Sequence, residues 1–383
     1  TVLEDEDDWM KVATADGYVG YIKTKSLKNQ KKEKTSRDFT EPVYSDMTED
    51  HSINMAWHNV TNAAANNAVQ QVLASTSGLT TIAPTWFSLA DTEGNISSIA
   101  DADYVNYAHT AGLEVWAVFR DFHGGTNSYD ETYETLRYTS KRAKLEDQVV
   151  AAAVAAGVDG INLDFELISS KCGVHYVQLV RELSVKCHQN NLVFSVDNYV
   201  PQSYNSHYDL KEQGIVADYV VIMAYDEHTE GSYEAGSVAS ISYLQDGIEK
   251  TLKKVSADKV IAGIPFFTRL WFETAKSPEQ LSEEAGTEAA SYPNKVSSKA
   301  LGMEEAAQSV VNAGATAQWD EKTQQNYAKW SADGGTYRIW LEDAQSLEAK
   351  LKVIQENKLA GVAEWSLGKE ESSVWKLISQ YVN

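Results

Sequence analysis

Cysteine, proline and basic charge are all scarce in this sequence. Its 383 residues hold 2 cysteines and 6 prolines. Of the cysteines, Cys172 lies just before and Cys187 within a stretch that reads as a helix over 174–189, whose rise separates the thiols by about 22 Å. That is beyond disulfide reach, so both are read as reduced or inert. Lysine and arginine number 33 against 55 acidic residues, a formal net charge of -22. Such a surface repels phosphate backbones and anionic membranes, which argues against nucleic acid and favours a neutral or weakly charged substrate. No apolar run approaches the length of a membrane span. The histidines, among them His58, His123, His175 and His228, show no His-Glu-x-x-His spacing, so no metal is expected. A nucleophile elbow and a phosphate-binding glycine loop are also missing, and "HGGTN" at 123–127 has no serine partner. No cofactor is expected. The opening "TVLEDEDDW" is not a signal peptide; the expectation is a cytosolic protein or a numbering that starts after a removed or truncated N-terminus.

What remains is an ordinary globular composition, 43% hydrophobic, sufficient for one large domain with something smaller beside it. Residues 1–27 alternate in the strand manner around a turn-prone "DG" and are too few to bury a core alone. They either lean on the main body or are part of a small β-module cut short. Residues 28–44, containing "KNQKKEKTSRD", read as a solvated linker.

From about residue 50 short β-branched and aromatic runs alternate with helical patterns. The runs are "INMAWHN", "LTTIAPTWFSL", "LEVWAVFRDF", "GVDGINLDFEL", "NLVFSVDNYV", "DYVVIMAYDE", "KVIAGIPFF" and "LAGVAEWSLG". Eight strands separated by helices predict a closed (β/α)8 barrel of the α/β class. The seventh and eighth runs lie much further apart than the others, so residues 268–342 are expected to form a small α+β insertion.

The fourth run carries a cost. Asn162, Asp164 and Glu166 alternate toward one side of a strand whose setting normally demands apolar residues. Charged groups there are expensive unless they rise toward a solvent-reachable mouth, and barrel sites do lie at the C-terminal strand ends. Two carboxyls on one face shift each other's titration. With Asp164 charged, Glu166 is expected to keep its proton and serve as a general acid. Tryptophans at the strand ends offer flat faces for sugar rings, and the combination points to glycoside hydrolysis. Other strand ends add Trp86, Arg120, Asp121, Met223, Tyr225, Asp226 and Trp365. Trp57 and Trp86 can equally be packing residues, for Trp365 sugar stacking is favoured over packing, and Asp159 reads as a support of the strand-four turn.

At these residues the chain resembles glycoside hydrolase family 18. "DGINLDFE" is similar to the family's Asp-x-x-Asp-x-Asp-x-Glu, "IMAYD" to its Met-x-Tyr-Asp, and the Trp365 run to its eighth-strand tryptophan. The resemblance spans residues 45–383 and implies a retaining mechanism assisted by the substrate. In it Glu166 protonates the glycosidic oxygen, and the acetamido carbonyl attacks C1 to form an oxazolinium ion. Asp164 orients the acetamido N–H, Tyr225 hydrogen-bonds its oxygen, and Trp365 floors the sugar. Asp226 and Met223 complete the wall. Asn162 replaces the family's middle aspartate, so Asp164 is expected to stay ionised more of the time. This variant, with "PTWF" and "IPFFTRLW", resembles the branch of spore-cortex and peptidoglycan N-acetylglucosaminidases. Arg269, just past strand seven, is a candidate glycan contact. Residues 7–27 resemble part of a bacterial Src-homology-3-like module of cell-wall enzymes.

The implied partner is an N-acetylglucosamine polysaccharide of the bacterial wall or spore cortex, acted on by a secreted, cell-surface or spore-associated monomer. The alternatives are a chitinase, an endo-β-N-acetylglucosaminidase, or a silent lectin of the same fold; the intact Glu166 argues against the lectin.

Overall fold

The computed structural model describes all residues except 16, 30, 33, 35–44 and 383. Most of the expected linker, and Asp16 of the expected Asp-Gly turn, lie outside the described residues. Two compact units emerge, residues 1–43 and 44–383. In the first, strands Val2–Glu6, Trp9–Ala13 and Val19–Lys23 form an antiparallel sheet with Trp9–Ala13 in the middle.

The second unit is a closed parallel barrel of eight strands. They are β1 (Ile53–His58), β2 (Thr81–Pro84), β3 (Glu114–Arg120), β4 (Gly160–Asp164), β5 (Val193–Tyr199), β6 (Tyr219–Met223), β7 (Val260–Pro265) and β8 (Gly361–Trp365). Each pairs with the next in sequence. The ring closes between β8 and β1, where Val362 lies opposite Asn54. The β2–β3 join is short, only Thr81–Glu114 and Ile82–Val115. Past it the chain turns at Thr85 and Trp86, and a hairpin of Phe87–Leu89 and Ile96–Ser98 takes over the edge of β3. The single run "LTTIAPTWFSL" is thus two strands, not one.

Helices cover the barrel, and their ends follow local chemistry. Asp101 caps the helix Ala102–Thr110 by accepting the N–H groups of Asp103 and Tyr104. Helix Thr139–Ala156 stops at Gly157, whose φ of 77° suits a residue without Cβ. The helix expected over 174–189 is Gly173–Gln189, and Cys172 and Cys187 are both free and buried. The run "TNAAANNAVQQVLAST" forms much less helix than its pattern suggests, a 3-10 stretch Ala63–Ala68 and a single α-turn Val69–Leu73.

Two apolar cores follow from the strand alternation. Outward residues such as Ile82, Phe119, Leu163 and Val196 pack under the helices. Inward ones, including Met55, Trp116, Val118, Val193 and Val221, fill the barrel. Trp116 dictates a glycine beside it: a Cβ on Gly160 would stand 2.8 Å from the indole. Climbing β4 from there, Gly160 is followed inward by Asn162 and then Asp164, so the filling turns from apolar to amide to carboxyl. Between β7 and β8, residues 267–341 carry a five-stranded sheet and the helix Met303–Asn312. Its strand Phe267–Ala275, which lies between Asn294–Gly302 and Gly335–Leu341, continues almost directly from β7.

Among the described residues no helix is long and apolar enough to cross a membrane.

Candidate active site

The C-terminal ends of the barrel strands surround a cleft of about 700 Å³, open to solvent. Asp164, Glu166, Met223, Tyr225, Asp226 and Trp365 all line it, together with Trp57, Asn59, Arg120, Phe122, His123, Asp197 and Tyr199. Asp164 and Glu166, which the sequence places two positions apart, face the same space.

They reach it differently. Asp164 is the last residue of β4 and is 7% exposed. Glu166 lies beyond the regular strand, so the expected three-residue strand row is shortened to Asn162 and Asp164. The chain is held after β4 by a buried carboxylate. Asp121, just past β3, accepts the N–H of Glu166 at 2.9 Å and that of Leu167 at 3.0 Å. Tyr208 donates its hydroxyl to the carbonyl oxygens of Phe165 and Glu166. The Tyr199 hydroxyl donates to Glu166 Oε2 itself. Backbone and side chain of Glu166 are therefore both held in place.

Burial dominates the protonation of this cluster. It raises the pKa of Glu166; the Asp226 charge adds to the rise and the Tyr199 hydroxyl opposes it. Asp164 is pushed well above the usual carboxylate range by burial, then by repulsion from Glu166, Asp197 and Asp121, with Arg120 opposing. One expectation needs correction here: loss of solvent, not the charge of Asp164, is the leading cause of the rise at Glu166. Asn162 removes one carboxyl neighbour from Asp164, whose pKa is still raised by burial and then by Glu166, Asp197 and Asp121. Burial likewise brings Asp121 to about 7 and Asp197 to about 8.

Around the carboxyls stand the rings. Trp57 and Trp365 lie 6.0 Å apart between centroids, and Tyr225 meets Trp57 edge-on at 6.4 Å. Burial raises the Tyr225 hydroxyl well above its ordinary value, so it is a neutral donor. Asp226 adopts a left-handed backbone with φ of 58° as the chain leaves β6.

Three candidate contacts are not brought to the cleft wall. Asn162 is fully buried beneath it, accepting from Trp57 Nε1 at 3.0 Å and donating to Ser195 Oγ at 2.9 Å and Asp197 Oδ1 at 2.7 Å. Trp86 belongs to the core under the helices, where its indole donates to Asn66 and its ring meets Tyr104 edge-on. The turn after β2 points it outward. Arg269 donates to Ser298 Oγ at 2.9 Å in the neighbouring strand of the insertion, and its charge acts on Asp226 with that of Lys369. Asp159 stands at the other end of β4, where its carboxylate accepts the N–H of Val115.

Asp197 and Tyr199 escaped the sequence reading. Their signal was the alternation of Ser195, Asp197 and Tyr199 along an otherwise apolar run, the same polar pattern that singled out β4.

A barrel with acid groups and aromatic rings at its strand ends defines a glycosidase-type site. The family comparison agrees: the profile of Glycosyl hydrolases family 18 matches residues 56–370, and the chain belongs to that family. It is 26% identical over 295 residues to the uncharacterized glycosylase YvbX of Bacillus subtilis (strain 168), covering 74% of this chain and 80% of that protein. To the cortical fragment-lytic enzyme of the same organism it is 27% identical over 256 residues, 64% of this chain and 54% of that protein. The fold also matches the crystal structure of chitinase from Chromobacterium violaceum ATCC 12472. The TM-score is 0.71 at 21% identity, over 86% of this chain and 98% of that one.

Proposed function

We propose that this glycosidase cleaves β-linked N-acetylglucosamine in peptidoglycan or spore cortex with retention of configuration. The observation carrying the proposal is the shared cleft of Glu166 and Asp164, walled by Trp365, Tyr225, Met223 and Asp226. Glu166, protonated through burial, donates its proton to the leaving oxygen. The acetamido carbonyl of the same sugar attacks C1, and Asp164 holds the acetamido N–H and steadies the positive charge. Tyr225 donates to the acetamido oxygen as it turns toward C1. Water, deprotonated by Glu166, opens the oxazolinium ion, which restores the acid.

Similarity to the cortical fragment-lytic enzyme favours cortex as substrate, and with it a spore-associated or extracytoplasmic place of action. In this reading the N-terminal sheet, with Trp9, Tyr18 and Tyr21 exposed, is part of a Src-homology-3-like wall-binding module. Likeness to a chitinase structure supports a second reading, action on chitin.

The test is digestion of purified cortex and chitin side by side, with mass spectrometry of the fragments. New reducing ends on N-acetylglucosamine, chiefly from cortex, are expected; a glycan lacking 2-acetamido groups should stay intact. Release of fragments from that glycan would overturn the mechanism. Fragments chiefly from chitin would favour the second reading.

A further inference from the structure

The strand register brings a second acid beside Asp164. Ser195 of β5 lies opposite Asn162 and Val196 opposite Leu163, and Asp197, the next inward residue after Ser195, acts on Asp164 through its charge. On the other flank β3 puts Arg120 opposite Asp164. Asp164 and Asp197 both line the cleft, and Asp197 is only 2% exposed. Asp164 Oδ1 and Asp197 Oδ2 are each buried without a hydrogen-bond partner among the described residues. Two such oxygens on neighbouring strands form a costly arrangement if both groups are charged. A single proton between them supplies the missing donor and removes the repulsion together.

Asn162 decides which oxygen is available. Its amide donates to Ser195 and to Asp197 Oδ1, and its own oxygen is occupied by the Trp57 indole. It can neither give nor take the proton, but it fixes Asp197 with Oδ2 left over.

Resting on the catalytic reading above, we propose that Asp197 is a positioning residue that carries a proton shared with Asp164, leaving Asp164 anionic toward the substrate acetamide. The pair holds one proton and one negative charge throughout, and no bond to substrate forms at Asp197. The other groups facing the pair are Arg120 at the end of β3 and Asp121 after it, Glu166 after β4, Tyr225 and Asp226 after β6, and Trp57 of β1. Of these only Arg120 brings positive charge to Asp164, and one guanidinium does not neutralise two neighbouring carboxylates.

Two substitutions separate this role from packing. In Asp197→Asn the amide N–H replaces the carboxyl O–H toward Asp164, and its oxygen still accepts from Asn162; Asp197→Ala removes both bonds. On cortex fragments Asp197→Ala is expected to lower kcat by about tenfold or more with KM nearly constant, while Asp197→Asn keeps kcat within about threefold. Carboxyl carbon NMR of the whole chain gives a readout that needs no turnover. In the wild type Asp164 and Asp197 should both respond to two separated titration steps, and in Asp197→Asn the higher step should vanish from the Asp164 signal. An Asp164 titration unaltered by Asp197→Asn overturns the proposal, as does equal loss of kcat in both variants. Absence of turnover in the wild type would instead contradict the catalytic reading, leaving the NMR titration to decide the role of Asp197.

Discussion

In the proposed mechanism Glu166 is the residue on which the chemistry turns, and opposing effects act on its proton. Burial and the Asp226 charge raise its pKa, while the hydroxyl of Tyr199 stabilises the ionised form. Removing that hydroxyl should raise the pKa further. Tyr199→Phe is therefore expected to move the alkaline limb of the kcat/KM profile to higher pH, with a loss of activity of no more than about tenfold. An unmoved limb would show that the Tyr199 bond does not govern the acid. Asp121 acts on the same residue through the backbone, since its carboxylate receives the two N–H groups that follow Phe165. Trp365 and Trp57 bring flat apolar area to the cleft at low entropic cost, since each has two side-chain torsions.

At the scale of elements, strands and their order were readable because alternation in this chain is strong and each run is bounded by turn residues. Local irregularity was not readable. The turn at Thr85 and Trp86 arises because the β2–β3 pairing is brief and the hairpin captures the β3 edge, a competition between distant segments. The bond from Asn162 to Asp197 depends on the register of β4 against β5, which one sequence does not disclose. Asp164 and Glu166 stood out because two carboxyls punctuate an apolar run, whereas Asp197 is a single carboxyl in its strand's alternation. The insertion and the barrel are joined by a buried network. Glu342, just after the insertion's last strand, accepts from Lys350 at 2.9 Å, from Ser346 at 2.8 Å and from Gln325 at 2.7 Å. Lys350 lies in the helix Ala344–Glu356, and neither member of the ion pair is more than 1% exposed. Lys350→Met leaves the glutamate unpaired and should cost about 3–5 kcal/mol in urea unfolding. A loss below about 1 kcal/mol would mean that Glu342 simply takes up a proton.

Across the whole molecule, an excess of acid groups meets a barrel that buries several of them. Burial lifts Glu114 and Asp121 to about 7, and Glu146 and Asp197 to about 8. Unfolded carboxyls titrate near about 4, so the folded state holds more protons between those limits and stability falls as pH rises. His58, lowered to about 4 by burial, and His175, lowered chiefly by burial, act the other way below neutrality, but the raised carboxyls outnumber them. The net charge of -22 adds self-repulsion as the carboxyls ionise. The midpoint of thermal unfolding is therefore expected to be higher at pH 5.5 than at pH 8, and the reverse order would refute this balance. Such a balance favours the folded state under mildly acid conditions. The most direct measurement of the account is fragment release from purified cortex by Glu166→Gln, with its fold checked by circular dichroism. A folded protein whose rate has dropped by about a thousandfold is expected; release at the wild-type rate would contradict the role of Glu166 as the acid.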